Sequence, residues 1–122
     1  MASIGEDFAR AVAAKDTGAF DRLLTAEVDF KGLTPGRVWE ATGPSGVASV
    51  FFDNWFEPSD TIEDLVGVTS GDDVADTAHV SYRLNLLNDA GEQVAEQQVY
   101  YRTTHGRISH LRVMCSGFRP RA

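Results

Sequence analysis

Cysteine is nearly missing from this chain, and the single one, Cys115, cannot close an intramolecular disulfide. The fold must therefore rest on a hydrophobic core, which 122 residues suffice to build, and a reducing cytoplasm is the expected setting. Histidine is equally scarce. His79, His105 and His110 fall into no HxH or HxxxH spacing, so a zinc site is not expected. Positive charge is short as well, with 11 basic against 18 acidic side chains and a net charge of −7. Nucleic acid needs a basic stripe to displace its counterions, and an anionic membrane surface attracts the same sign, so neither is an expected partner. No apolar run approaches the length of a bilayer span. The N-terminus, acidic at Glu6 and Asp7, lacks the basic and apolar regions of a signal peptide. No glycine-rich phosphate loop or dinucleotide fingerprint occurs, and Asp72, Asp73 and Asp76 are too sparse for a calcium loop. No cofactor is therefore expected. With no internal repeat and no linker, residues 1–122 read as one domain.

What the chain does have is alternation. Ala78, Val80, Tyr82, Leu84 and Leu86 are mostly apolar, while His79, Ser81, Arg83 and Asn85 between them are polar. That period of two marks a half-buried strand. Leu111, Val113 and Cys115 against His110, Arg112 and Met114 repeat the pattern near the C-terminus. Between them, Gln97, Val99 and Tyr101 alternate with Gln98, Tyr100 and Arg102, and here either Tyr100 or Tyr101 can face inward.

The N-terminal half reads differently. Ser3 and Glu6 match a capping box, and Ile4, Phe8 and Val12 recur every four residues, which predicts a helix over 3–15. Phe20, Leu23 and Leu24 give a second helix over 17–24, and Val47, Val50, Phe51, Asn54 and Trp55 a third over 44–56. Strands are expected at 28–33, 37–41 and 62–69, the first two joined through Thr34-Pro35-Gly36. The order ααββαββββ lacks the βα alternation of a doubly wound sheet. It describes an α+β domain in which a strongly curved, mainly antiparallel sheet wraps over three helices.

This layout resembles the nuclear transport factor 2-like superfamily, the cone-shaped fold of ketosteroid isomerases, SnoaL-like cyclases and limonene epoxide hydrolases. The resemblance is carried by the Phe8–Asp16 helix followed by Phe20–Leu24, the strand from Val28, and the helix entry from Thr42-Gly43 to Phe51. The Val80-Ser81-Tyr82 strand and the His105-Gly106-Arg107-Ile108 turn complete it. It implies a cavity between the helices and the concave sheet face, and a convex face that often pairs two subunits. Phe8, Trp39, Phe51, Trp55, Tyr82, Gln97, Tyr101, Leu111, Val113 and Cys115 then become the expected ligand-binding residues. Tyr82 and Tyr101 would supply the polar contacts. His79, Ser81, Arg83, Gln98, Tyr100, Arg102, His110 and Arg112 become the outward set.

The same resemblance argues against two defined chemistries. Ketosteroid isomerases bring a carboxylate base, a tyrosine and a protonated acid to the substrate carbonyl. The matching positions here hold Gly32, Phe8 and Val99, none of which transfers a proton. The epoxide hydrolases use an Asp-Arg-Asp arrangement, and the inward set contains no carboxylate. Glu40 approaches the cavity only if its strand is read with opposite parity, where a raised pKa would make it an acid or base. Cys115 needs a cation or helix N-terminus to act as a nucleophile, and otherwise serves as a small buried apolar residue.

Two functions from different classes follow. One is a pocket protein for a small apolar or aromatic molecule, with isomerase, cyclase or hydrolase activity as its possible chemistries. The other is a non-catalytic module that forms a homodimer through the outward Tyr100, His110, Arg112 and Met114.

Overall fold

The computed structural model describes residues 3–121. Helix α1 (Ile4–Ala13) starts where expected: the Ser3 hydroxyl accepts from the Glu6 backbone N–H at 3.1 Å, and Glu6 and Asp7 lie in the first turn. It ends earlier than the apolar spacing suggests, because Lys15 takes a left-handed conformation at φ 51°. Its ammonium reaches across to the carbonyls of Glu57 (2.8 Å) and Asp60 (2.5 Å), fixing that conformation. Helix α2 (Thr17–Leu23) follows, capped by Asp16 on the Ala19 N–H.

Strands β1 (Leu24–Thr34) and β2 (Arg37–Thr42) form a hairpin with Pro35 and Gly36 at its tip. Gly36 has φ 76°, the conformation that the third residue of a type II turn demands. Helix α3 (Pro44–Ser49) passes into a π-helical turn, Val50–Trp55, closed by the Phe56 N–H on the Phe51 carbonyl at 2.7 Å. Strands β3 (Thr61–Ser70), β4 (Ala78–Asn88), β5 (Gly91–Thr104), β6 (Arg107–Cys115) and the short β7 (Arg119–Pro120) complete the chain.

The sheet runs β2-β1-β6-β5-β4-β3, and β7 pairs with the start of β5 beyond the point where β6 ends. Every pairing is antiparallel except β1 with β6, so the sheet is mixed, and β7 is a strand that the alternation does not announce. Irregularities in β1, β3 and β6 bend it. Helix α1 packs on β3 and β4, α2 on β1, and α3 on β1 and β2. The result is the α+β cone, three helices against one large curved sheet.

Parity holds along the long strands. Val80, Tyr82, Leu84 and Leu86 are buried on β4, and Leu111, Val113 and Cys115 on β6. On β5 the open choice resolves: Tyr101 is buried and Tyr100 is 39% exposed. Phe8, Phe20 and Phe51 form the centre of the core, with Phe8 stacked on Phe20 at 5.2 Å and Phe51 edge-on to both. Among the described residues no helix is long and apolar enough to cross a membrane.

Candidate functional site

Three element ends meet beside the middle of β2. The last residue of β1 (Thr34), the middle of β2 (Trp39), the end of the π turn (Asn54, Trp55) and the end of β6 (Cys115) surround a depression of about 240 Å³. Gly117 and Phe118 complete its rim. We call it the mouth.

Two tryptophans make its walls. Trp39 lies half-buried on the inward side of β2, edge to face with Trp55 at 6.2 Å and 89°. Its orientation is held from two sides: its indole N–H donates to the Thr34 hydroxyl at 2.8 Å, and the Arg37 guanidinium sits 3.5 Å above its ring. Trp55 is placed by the absence of a side chain at Gly32. A Cβ there would come within 2.7–2.8 Å of the Cη2 and Cζ2 edge of the indole. The π turn presents Trp55 to this groove, and it also turns Phe56 inward and leaves Asn54 exposed, its amide bonded to the Ser49 carbonyl. A regular helix would have kept Asn54 on the inner face.

Behind the mouth lies a small polar island in an apolar interior. Tyr82 donates its hydroxyl to Gln97 Oε1 at 2.6 Å, both fully enclosed. Gln97 pairs across the sheet with Cys115, so its carboxamide lies beside the thiol. Burial, and then the nearby Cys115, hold the Tyr82 hydroxyl well above the usual tyrosine range. Burial also pushes the Cys115 thiol up, against a smaller opposing pull from the neighbouring Gln97 side chain and Gly117 backbone. At neutral pH the thiol keeps its proton. Two buried donors, Trp55 Nε1 and Gln97 Nε2, have no partner among the described residues.

Of the ten expected ligand-binding residues, Trp39, Trp55 and Cys115 therefore meet at the mouth, with Gln97 and Tyr82 one layer deeper. Phe8 and Phe51 lie in the aromatic core, and Leu111 and Val113 in the sheet's inner layer. Tyr101 packs its ring over Gly5 of α1, where a Cβ would approach it to 2.5–2.9 Å. Thr34 at the end of β1, and Gly117 and Phe118 between β6 and β7, are residues for which neither periodicity speaks, whereas Asn54 reaches the rim from the π turn. Glu40 points away from the mouth, within 3.6 Å of Lys31.

Other depressions differ in character. One of about 410 Å³ between α1 and α2 is rimmed by Asp7, Arg10, Asp16 and Arg22, whose charges pair with each other. On the convex face a groove of about 300 Å³ runs among Lys31, Leu33, Val38, Tyr100, Arg112, Val113 and Met114. Near it, burial followed by the charges of Arg112 and Arg102 lowers the pKa of His110, against the opposing pull of Asp29 and Asp76. Among the described residues no three His, Cys, Asp or Glu side chains gather in a metal-binding cluster.

With this geometry in place, comparison with known proteins is informative. A model of the SnoaL-like domain matches residues 6–111. Among solved structures, a candidate isomerase from Bacillus subtilis superimposes with a TM-score of 0.74 at 14% identity, over 93% of this chain and 84% of that one. An LEH-like epoxide hydrolase from M. tuberculosis gives 0.67 at 15%, over 93% and 80%. An NTF2-like protein of unknown function from Mesorhizobium loti gives 0.64 at 16%, over 93% and 88%. At these identities the likeness is one of fold. No curated protein matches the sequence.

Proposed function

The chain belongs to the SnoaL-like domain family, and from that premise we propose that it binds a small, flat, mainly apolar or aromatic molecule at the mouth. The observation that carries this reading is the pair of perpendicular tryptophans, Trp39 and Trp55, around an opening of about 240 Å³. Aromatic walls with a few placed polar groups are the usual make-up of a small-molecule site. Trp39 is pre-oriented by Thr34 and Arg37, which lowers the entropy lost when a ring stacks on it. Of the groups lining the opening, Cys115 alone titrates, and burial keeps it protonated. The site is therefore suited to selecting and holding a compound, and isomerase, cyclase or hydrolase chemistry would need a proton-transfer group from the compound itself. A thermal-shift screen of flat one- and two-ring compounds tests the proposal. Stabilised hits that disappear in Trp39→Ala support it, and no hit in the whole series contradicts it.

A second reading concerns assembly. Leu33, Val38, Tyr100 and Met114 are exposed together on the convex face, at 44, 61, 39 and 56%. Their charged neighbours are already paired, Lys31 with Glu40 at 3.6 Å and Arg112 with Asp29 at 3.4 Å, so the patch can be covered without stranding a charge. We infer that a second copy of the chain covers it, forming a two-fold dimer. The surplus of acidic charge and the single buried thiol support a partner set without nucleic acid or membrane and a cytoplasmic setting.

A further inference from the structure

We infer that the compound held at the mouth is uncharged and carries a hydrogen-bond acceptor, a carbonyl oxygen above all, which takes the indole N–H of Trp55. This rests on the mouth being a ligand site and specifies what that site reads.

The two wall tryptophans differ in how their indole N–H groups are satisfied. Trp39 Nε1 has an acceptor in Thr34 Oγ1, whereas Trp55 Nε1 is buried without one among the described residues. Roughly nine in ten buried polar groups in proteins are hydrogen-bonded, so an exception on a residue that lines the opening points to an absent partner, reached when the indole tilts toward the bound compound. Trp55 is only 7% exposed, and an indole is a donor only, with no flip or tautomer that removes the demand. Whatever satisfies it must bring an acceptor.

The neighbour behind the mouth adapts to that demand. Gln97 Nε2 is also unpartnered, and its carboxamide lies beside the Cys115 thiol at the pocket floor. A primary amide can turn over about its last bond and exchange roles with the Tyr82 hydroxyl. Gln97 can therefore change polarity behind the Cys115 thiol, while Trp55 fixes the polarity that the bound group must have.

Charge is the other half of the specification. The residues lining the mouth are uncharged, and so is the layer behind them, the Gln97 carboxamide and the Tyr82 hydroxyl. An ionised carboxylate taken into such a setting loses its hydration without an opposite charge in return. Arg37, 3.5 Å above the Trp39 ring, is not among the residues that line the opening. The opening of about 240 Å³ limits the compound to one or two fused rings.

Three probes of one skeleton test this: indane, 1-indanone and indane-1-carboxylate, titrated into the ¹⁵N-labelled full chain. The two indole N–H signals are assigned with Trp39→Phe. We expect 1-indanone to bind about tenfold more tightly than indane, the equivalent of one hydrogen bond. It should shift the Trp55 indole proton downfield and leave that of Trp39 in place. In Trp55→Phe the ketone-to-hydrocarbon ratio should fall to within about twofold. Equal affinity of indane and indanone, with no downfield shift, overturns the inference and leaves the ligand site standing. A ratio preserved in Trp55→Phe, or tightest binding by the carboxylate, also overturns it. If none of the three perturbs either indole, the ligand site itself fails.

Discussion

Gly32 shows how much a single missing side chain decides. The indole of Trp55 occupies the space where a Cβ at position 32 would stand, 2.7 Å from Cη2. Gly32→Ala should therefore push Trp55 out of its groove and destabilise the fold by about 1–3 kcal/mol, measured by urea denaturation. Tyr82→Phe removes the only donor to Gln97 Oε1 among the described residues and should cost about 1 kcal/mol, the net value of a buried hydrogen bond. Titration adds a check with a definite sign. The folded-state pKa of Cys115 is raised above its unfolded value, so its contribution to stability is complete below that unfolded value and declines as pH rises through the folded one. Cys115→Ala should flatten the loss of stability seen above about pH 9. For His110 the sign is opposite: its folded pKa is lowered, its contribution is complete above the unfolded value, and it is lost as pH falls. Its ring-proton titration should have a midpoint below about 6.5. At this scale the sequence was an uneven guide. Parity placed Tyr82, Leu111, Val113 and Cys115 on the inner side, but two adjacent tyrosines defeat alternation, and only packing over Gly5 distinguishes Tyr101 from Tyr100.

At the scale of elements, the departures lie where local chemistry is overruled by distant contacts. Nothing in Ala14-Lys15-Asp16 marks Lys15 as left-handed. Its conformation is set by carbonyls of Glu57 and Asp60, more than forty positions away in sequence. Lys15→Ala should lose both charge-assisted bonds and cost about 1–3 kcal/mol, with increased amide exchange at residues 57–60 as its local signature. The π turn was equally hidden, because helical periodicity assumes 3.6 residues per turn throughout. The wider turn swaps Asn54 out and Phe56 in, and gives Trp55 its place opposite Trp39. The hairpin was legible by contrast, since Pro35-Gly36 supplies its own turn geometry. β7 escaped notice because two residues are too few to alternate.

For the whole molecule, the fold followed from the order of elements, but the site did not. The mouth is assembled from the ends of β1, the π turn and β6 together with Trp39 of β2, and ends carry the weakest periodic signal. The convex patch has its own test. Light scattering at micromolar concentration should give the mass of a dimer, and Val38→Glu with Met114→Glu should halve it by placing like charges at the centre. A wild-type monomer would contradict that reading without touching the mouth. The central claim is that Trp39 and Trp55 enclose the ligand, and intermolecular NOEs from bound indane test it most directly. We expect cross-peaks from indane to the indole protons of both tryptophans. Contacts confined to Tyr100 and Met114 on the convex face, or to α1 and α2, would contradict it.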